Sequence, residues 1–182
     1  TDAASADFEI VLMIDRAFRT MGVDEVEIHV AHRGVFGVLL DSLGVTEGAD
    51  EVLRTVDKLR KIGEQQVREQ LDTLVGADAA ARVLELIALT GDNRDVLARM
   101  RELVPAAGGY FDRLEAILDA ARALEVDDRI VLDPAITRGL DYYTGIVFET
   151  FLKQLPEIGS VCSGGRYDDL AGLYSKQRMP GV

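Results

Sequence analysis

The chain has 182 residues, of which 48% are hydrophobic, and a formal net charge of −12. This composition supports the buried core of one domain, or of a domain with a small insertion. A chain this acidic is unlike proteins that coat nucleic acids without sequence preference, because that binding depends on neutralising phosphates.

Cysteine content and hydrophobicity indicate a cytoplasmic protein without a membrane segment. The single cysteine, Cys162, leaves no internal disulfide framework. No apolar run approaches the roughly 20 residues that cross a bilayer. Residues 1–7 are polar and acidic, unlike a signal peptide.

Residues 1–46 predict a helix, a strand and a second helix. Ser5 is a suitable N-cap for a helix that begins at Ala6, and apolar residues recur after it at helical spacing. The alternation over residues 26–30 predicts a strand. A short helix follows and ends near Gly44.

Residues 47–127 predict helices only. Apolar residues from Val52 to Ile62 have helical spacing and predict one helix that stops at Gly63. Further short helices follow up to Leu124. This segment therefore predicts an all-helical insertion.

Residues 128–182 return to strand-forming patterns. Residues 130–132 predict a short strand, and residues 142–152 predict a longer one that is rich in β-branched and aromatic side chains. Residues 160–162 predict a third strand. The loop at residues 154–159 is suited to join the last two strands as an antiparallel hairpin.

The predicted fold class is α+β. Residues 1–46 and 128–182 form part of an antiparallel sheet with flanking helices, and residues 47–127 interrupt it. The chain ends at residues 180–182 without a capping signal and begins equally abruptly, so we expect it to be a central part of a larger domain.

Two glycine-containing stretches are candidates for a ligand site. In residues 138–145, Arg138 presents five donors in a planar fork that suits a carboxylate or a phosphate, and the glycines of this stretch allow a ligand close to the backbone. Tyr142 and Tyr143 are neighbours in the predicted strand, so we expect one side chain in the core and one at a pocket. Residues 163–170 again combine paired glycines with an arginine and a tyrosine.

The same residue types have a purely structural interpretation. Paired tyrosines on a strand are usually packing residues, and Arg-Gly and Gly-Gly pairs are common in turns. Composition alone leaves both interpretations open.

The order of the residues resembles one known family. Arg-Gly-Leu-Asp-Tyr-Tyr-Thr-Gly at residues 138–145, followed by Val-Phe-Glu at 147–149, resembles the histidine-specific motif of histidyl-tRNA synthetases. Residues 160–170 resemble the segment that follows this motif. Residues 56–63 resemble a pattern in the insertion domain of the family, and residues 133–138 fit the approach to the motif.

The resemblance implies a role for each matched residue in making histidyl-adenylate. Arg138 would contact the α-phosphate and the histidine carboxylate and stabilise the charge of the transition state. Tyr143 would face the imidazole with Tyr142 beside it, and Tyr167 would close the imidazole end. Gly164–Gly165 would let the ligand lie against backbone.

The resemblance also implies partners and missing parts. Histidine, ATP with Mg²⁺, and tRNA-His would be the substrates of a class II, homodimeric parent enzyme. The three class II motifs and the anticodon-binding domain of that family are not in this sequence. Because positioning supplies much of the rate of such transfers, we expect the 182-residue chain alone to be inactive.

A basic stripe in the insertion predicts a weaker site. Arg54, Lys58 and Lys61 are spaced for one face of a helix. They could contact tRNA phosphates, or they could form a solvated face that pairs with Asp57 and Glu51.

Two other functions stay open. A synthetase-like regulatory subunit of ATP phosphoribosyltransferase would bind histidine or a partner without charging tRNA, and a plain interaction fragment would bind no ligand.

Other possible sites are weak: His29 and His32 fall on opposite strand faces, Cys162 is expected to be a strand residue, and Asp168–Asp169 is more typical of solvated or capping acids than of a magnesium site. We predict no metal site.

Overall fold

The structure is a computed structural model that describes residues 2–139, 142–173 and 179–182. Its helices are α1 (Ala4–Thr20), α2 (Arg33–Ser42), α3 (Ala49–Val56), α4 (Leu59–Ile62), α5 (Glu64–Val75), α6 (Ala77–Ile87), α7 (Asn93–Leu103) and α8 (Gly108–Ala123). Its strands are β1 (Val26–His32), β2 (Ile130–Leu132), β3 (Ile146–Leu152) and β4 (Ser160–Gly165). The predicted α+β class is confirmed.

The strands form one sheet in the order β2-β1-β3-β4. β3 pairs antiparallel with β1 and with β4, so the predicted hairpin through residues 154–159 is confirmed. β1 and β2 pair in parallel, which the strand patterns did not predict. At the centre, Glu149 of β3 lies between His29 of β1 and Ser163 of β4. Cys162 lies in β4, as expected.

The two faces of the sheet differ in what covers them. On one face, Ile28 and Phe148 join the buried cluster that contains Leu114 of α8, and α8 packs against α1 and β1. Side chains alternate along a strand, so His29 and Glu149 lie on the opposite face. We call this second surface the open face.

Helix α7 protects the edge of the sheet. The side-chain amide of Asn93 donates to the Ile130 carbonyl at 2.7 Å and accepts from the Leu132 amide at 2.7 Å. These two bonds satisfy backbone groups that an edge strand would otherwise leave unpaired.

The proposed division of the chain into residues 1–46, 47–127 and 128–182 remains a prediction. Helix α5 packs against α3 and against α6, whereas α7 and α8 contact strands of the sheet. Buried residues of all these helices belong to one continuous hydrophobic cluster.

The first helix starts earlier than predicted. α1 begins at Ala4, and its N-cap is Ala3, which makes no side-chain cap bond. The prediction that Ser5 caps a helix starting at Ala6 is therefore wrong. The Ala6 amide donates to the Ala3 carbonyl at 3.1 Å, so the first turn closes without a side chain.

The single helix predicted over residues 52–62 is also wrong, because a turn separates α3 from α4. The Lys58 amide bonds to the Thr55 carbonyl at 3.2 Å, three residues back, which tightens the backbone. Arg60 then forms an ion pair with Asp133 at 2.8 Å. This contact fixes α4 against the sheet, and helical periodicity alone could not reveal it.

Candidate functional site

Arg138 lies at the open face and forms an ion pair with Glu149. The Arg138 side chain is 54% exposed, whereas the Glu149 side chain is 8% exposed. A carboxylate oxygen of Asp57 stands 4.0 Å from Nε of Arg138. These residues line a cavity of about 540 Å³, together with Arg60 and Phe151. A guanidinium that is held at Nε and open to solvent elsewhere suits a carboxylate or a phosphate ligand.

The environment of Glu149 disfavours its charge. Burial raises the pKa of this carboxyl group, and the negative charges of Asp57 and Asp133 act in the same direction. Arg138 and Arg60 lower the pKa, but burial is the larger effect and the net direction is upward.

Tyr142 and Tyr143 are not neighbours on a strand, so the prediction that they point to opposite faces of a sheet is wrong. They precede β3 in a turn, in which both of their amides donate to the Gly139 carbonyl, at 3.2 and 2.9 Å. Their rings meet edge to face at 4.4 Å. Tyr143 packs against a small buried cluster that includes Ala31 and Val147 of the open face.

Burial raises the pKa of the Tyr143 phenol to about 12, with the neighbouring Tyr142 hydroxyl contributing. The phenol therefore keeps its proton at neutral pH. It is able both to donate and to accept a hydrogen bond, as recognition of a heterocyclic nitrogen requires.

Two glycines make room for the Tyr143 ring. Gly139 has a positive φ of +70°, and a Cβ there would stand 1.7 Å from Cδ2 of Tyr143. A Cβ on Gly165 would stand 2.9 Å from Cγ of the same ring. At Gly164 the corresponding space is filled by Phe148, at 2.6 Å. In this structure the space beside each glycine is thus taken by an aromatic side chain.

Tyr167 follows β4, and its backbone pairs with Gly181 through bonds of 2.9 and 2.8 Å. It is close enough to Tyr143 to raise the pKa of that phenol. The structure thus brings the three predicted tyrosines and Gly165 to one region. Arg138 lines the cavity described above, to which Tyr143 and Tyr167 do not contribute. The motif residues Leu140 and Asp141 lie outside the described residues.

Sequence reasoning missed an enclosed cluster of charges made by Asp7, Arg113 and Arg166. Asp7 of α1 is fully buried and accepts from Nε of Arg166 at 2.7 Å and from Nε of Arg113 at 2.5 Å. Burial lowers the pKa of Arg166, but the hydrogen bonds and negative charges of Asp7 and Asp168 together exceed this effect, and the net direction is upward. The Arg166 carbonyl accepts from the Thr144 amide at 2.8 Å, so this cluster also supports the motif.

Asp168, weighed above as a magnesium ligand, is engaged with protein groups. Its carboxylate accepts from the Thr144 hydroxyl at 2.9 Å and lies 3.4 Å from the Arg166 guanidinium. Among the residues described by the structure, no group of three His, Cys, Asp or Glu side chains is arranged to hold a metal ion.

His29 contributes to a contact between α4 and the sheet. Its Nδ1 lies 2.7 Å from Asp133, and the ring meets Phe151 edge to face at 4.8 Å. Arg60 bonds to Asp133 at 2.8 Å and covers the Phe151 ring at 4.0 Å. This contact forms one wall of the cavity that contains Arg138.

Arg54, Lys58 and Lys61 are exposed. The turn between α3 and α4 separates Arg54 from Lys61, so the three do not lie along one uninterrupted helix. Lys58 and Lys61 line the cavity of Arg138. A tRNA contact by these residues stays a prediction.

Comparison with known proteins decides the family. The histidyl-tRNA synthetase family model matches residues 1–182. The chain belongs to the histidyl-tRNA synthetase family. It is 45% identical to the histidine–tRNA ligase of Treponema denticola over 100% of this chain and 42% of that protein.

Solved structures of this family have the same fold. A histidyl-tRNA synthetase from Nostoc sp. PCC 7120 matches 99% of this chain and 44% of its own, with a TM-score of 0.92 and 29% identity. A protein from Bacillus halodurans described as an ATP phosphoribosyltransferase regulatory subunit/histidyl-tRNA synthetase matches 94% of this chain and 45% of its own, with a TM-score of 0.81 and 25% identity.

This histidyl-tRNA synthetase family chain spans less than half the length of the Treponema denticola ligase, at 42%. Among its described residues, no helix combines the length and the apolar character needed to cross a membrane.

Proposed function

We propose that this chain is the part of a cytoplasmic histidine–tRNA ligase that binds histidine and its adenylate. The observation that carries the proposal is the family match over residues 1–182, which includes the whole histidine-specific motif. A half-exposed Arg138 beside a cavity supports an anion-binding role, and a protonated Tyr143 supports recognition of an imidazole.

The proposed reaction begins with histidine and ATP. A carboxylate oxygen of histidine attacks the α-phosphorus, the bond to the β-phosphate oxygen breaks, and pyrophosphate leaves with its electron pair. Negative charge grows on the non-bridging oxygens of the α-phosphate. N–H groups of Arg138 would donate to these oxygens and to the carboxylate, and such prearranged donors stabilise a transition state more than a ground state.

The remaining residues would select histidine. The hydroxyls of Tyr143 and Tyr167, with Tyr142 supporting the first, would bond the imidazole nitrogens, which an apolar isostere would leave unpaired. The backbone of Gly164 and Gly165 would lie beside the ligand, and the absence of a Cβ at these positions leaves room for the rings of Phe148 and Tyr143. The second step, transfer of the histidyl group to tRNA-His, would require the rest of the ligase.

The parent enzyme is proposed to be a class II homodimer that uses ATP as its magnesium complex. Mg²⁺ would arrive bound to the ATP phosphates, and no step assigned to this chain depends on it.

Calorimetry with a non-hydrolysable histidyl-adenylate analogue tests the binding role. We expect the 182-residue chain to bind the analogue and the Arg138→Met variant to lose most of this binding. We expect no histidine-dependent pyrophosphate exchange by the isolated chain, and full exchange by a full-length ligase that carries it. A folded chain without affinity for histidine or the analogue contradicts the proposal and favours a plain interaction fragment.

The likeness to the Bacillus halodurans protein supports a second candidate, a regulatory subunit of ATP phosphoribosyltransferase. Such a subunit would bind histidine without forming aminoacyl-tRNA. Aminoacylation of tRNA-His by the full-length protein separates the two, because only the ligase produces histidyl-tRNA.

A further inference from the structure

Glu149 is an acid in the middle of a sheet. It occupies the centre of β3, with hydrogen-bonded strands on both sides, and its side chain is 8% exposed. An ionised carboxylate at such a place loses most of its hydration, and it is kept charged only by partners nearby.

Its ion-pair partner is Arg138. Among the residues that the structure describes, Oε1 of Glu149 forms an ion pair with Nε of the Arg138 guanidinium and has no hydrogen-bond partner. An arginine bound at Nε still has both terminal nitrogens for a bidentate ligand. Asp57, at 4.0 Å from the same Nε, is 46% exposed and is a weaker anchor.

The pair is not explained by stability. The raised pKa of Glu149 means that its charge is less favourable in the folded chain than in water, even with Arg138 beside it. A buried charge that opposes folding is commonly retained at a functional site. Histidine activation requires Arg138 to hold one orientation while charge develops on the α-phosphate. The charge of Glu149 would fix that orientation.

We propose that Glu149 is a positioning residue, which holds Arg138 by Nε so that its two terminal nitrogens face the reacting carboxylate and α-phosphate. This inference rests on the proposed function. Glu149 touches no substrate, and its effect on the reaction passes through Arg138.

The test uses Glu149→Gln in a full-length ligase that carries this chain, because glutamine keeps the size and removes the charge. We expect kcat for histidine-dependent pyrophosphate exchange to fall about tenfold to 100-fold, as small displacements of a reacting group do. The KM for histidine should change by less than about threefold. In the 182-residue chain, the same variant should unfold at a higher urea concentration than the parent.

A double-mutant cycle with Arg138→Lys adds a readout that a structural role would not change. If Glu149 acts through Arg138, Glu149→Gln should reduce kcat much less in the Arg138→Lys background than in the parent. Glu27→Gln is the matched control: Glu27 lies on the open face and pairs with Lys153 and His29. This control should keep parental kinetics.

Three results would overturn the inference: an unchanged kcat for Glu149→Gln, equal fold losses with and without Arg138, or a less stable variant. If the parent ligase shows no histidine-dependent exchange, the proposed function fails and the inference falls with it. If the parent is active and only the Glu149 results disagree, the inference alone fails.

Discussion

Arg166 and Arg138 both belong to the motif stretches, and each binds a buried carboxylate, but their exposure differs. The side chains of Arg166 and Asp7 are 3% and 0% exposed, whereas those of Arg138 and Glu149 are 54% and 8% exposed. An enclosed guanidinium is surrounded by protein groups and leaves no surface for a ligand. A half-exposed guanidinium keeps N–H groups that can donate hydrogen bonds to a ligand. We therefore expect the first pair to stabilise the motif, and we propose that the second takes part in its chemistry.

The largest effect on stability is expected from breaking the enclosed cluster. Asp7→Asn would leave the buried Arg166 and the half-buried Arg113 without their shared carboxylate. Loss of one partner of a buried pair costs about 3–5 kcal/mol, so urea unfolding of the chain should show a destabilisation of this size. Glu9→Gln, an exposed acid in the same helix, is the control and should have almost no effect. A change below about 1 kcal/mol for Asp7→Asn would show that enclosure does not distinguish the two pairs.

The opposite pattern is expected at Arg138. Arg138→Lys keeps the charge and loses the planar fork, so pyrophosphate exchange by a full-length ligase should fall about 10²-fold to 10³-fold. Stability of the chain should change by less than about 1 kcal/mol, because the side chain is half exposed. Arg68→Lys, in the exposed i, i+4 pair with Glu64, is the matched control. If Arg138→Lys lowered stability as strongly as it lowers activity, Arg138 would have a structural role like that of Arg166.

The enclosed cluster should also make stability depend on pH through His32. This imidazole is 5% exposed. Burial, followed by the charge of Arg113, lowers its pKa from 6.5 to about 4, while Asp7 and Asp168 act in the opposite direction and Arg166 adds to the lowering. Between these pKa values the unfolded chain binds the proton and the folded chain does not.

It follows that the His32 contribution is complete above pH 6.5 and is lost as the pH falls towards 4. The loss is on the order of 3 kcal/mol. It is measured as the difference in urea unfolding between the parent and His32→Asn, whose side-chain oxygen replaces the Nδ1 acceptor of the Gly34 amide. The difference should change with pH between 6.5 and 4. A constant difference would mean that His32 titrates alike in both states.

Much of the fold could be predicted because its signals are local. The alternation at residues 26–30 and the paired strand patterns around residues 154–159 predicted β1 and the hairpin, and both formed. The turn at Tyr142 and Tyr143 was missed because their aromatic character favours a strand. The amides of Tyr142 and Tyr143 both donate to the Gly139 carbonyl. Strand propensity does not take such turn hydrogen bonds into account.

The site itself was only partly predictable. Arg138 is visible in a contiguous motif, and Glu149 falls in the Val-Phe-Glu that follows it, but nothing in the sequence pairs the two side chains. Asp7 is 159 residues from Arg166, and no local signal connects them. In sequence, each arginine stands beside a glycine. Only the packing of α1 against the sheet region decides which of the two is enclosed.

The smallest effect is expected from three exposed charges. Arg54 lies in α3, Lys58 in the turn that follows, and Lys61 in α4. Reversing all three in a full-length ligase should leave tRNA-His affinity within about twofold, since exposed side chains that do not lie along one uninterrupted helix contribute little.

Contact with tRNA would give a different result. Each lost phosphate contact reduces the slope of log affinity against log salt by about 0.7–0.9, so three contacts would reduce it by about 2–3. Affinity measured at several salt concentrations therefore decides the question. A clear loss of affinity with a shallower slope would assign these residues to a ligand surface.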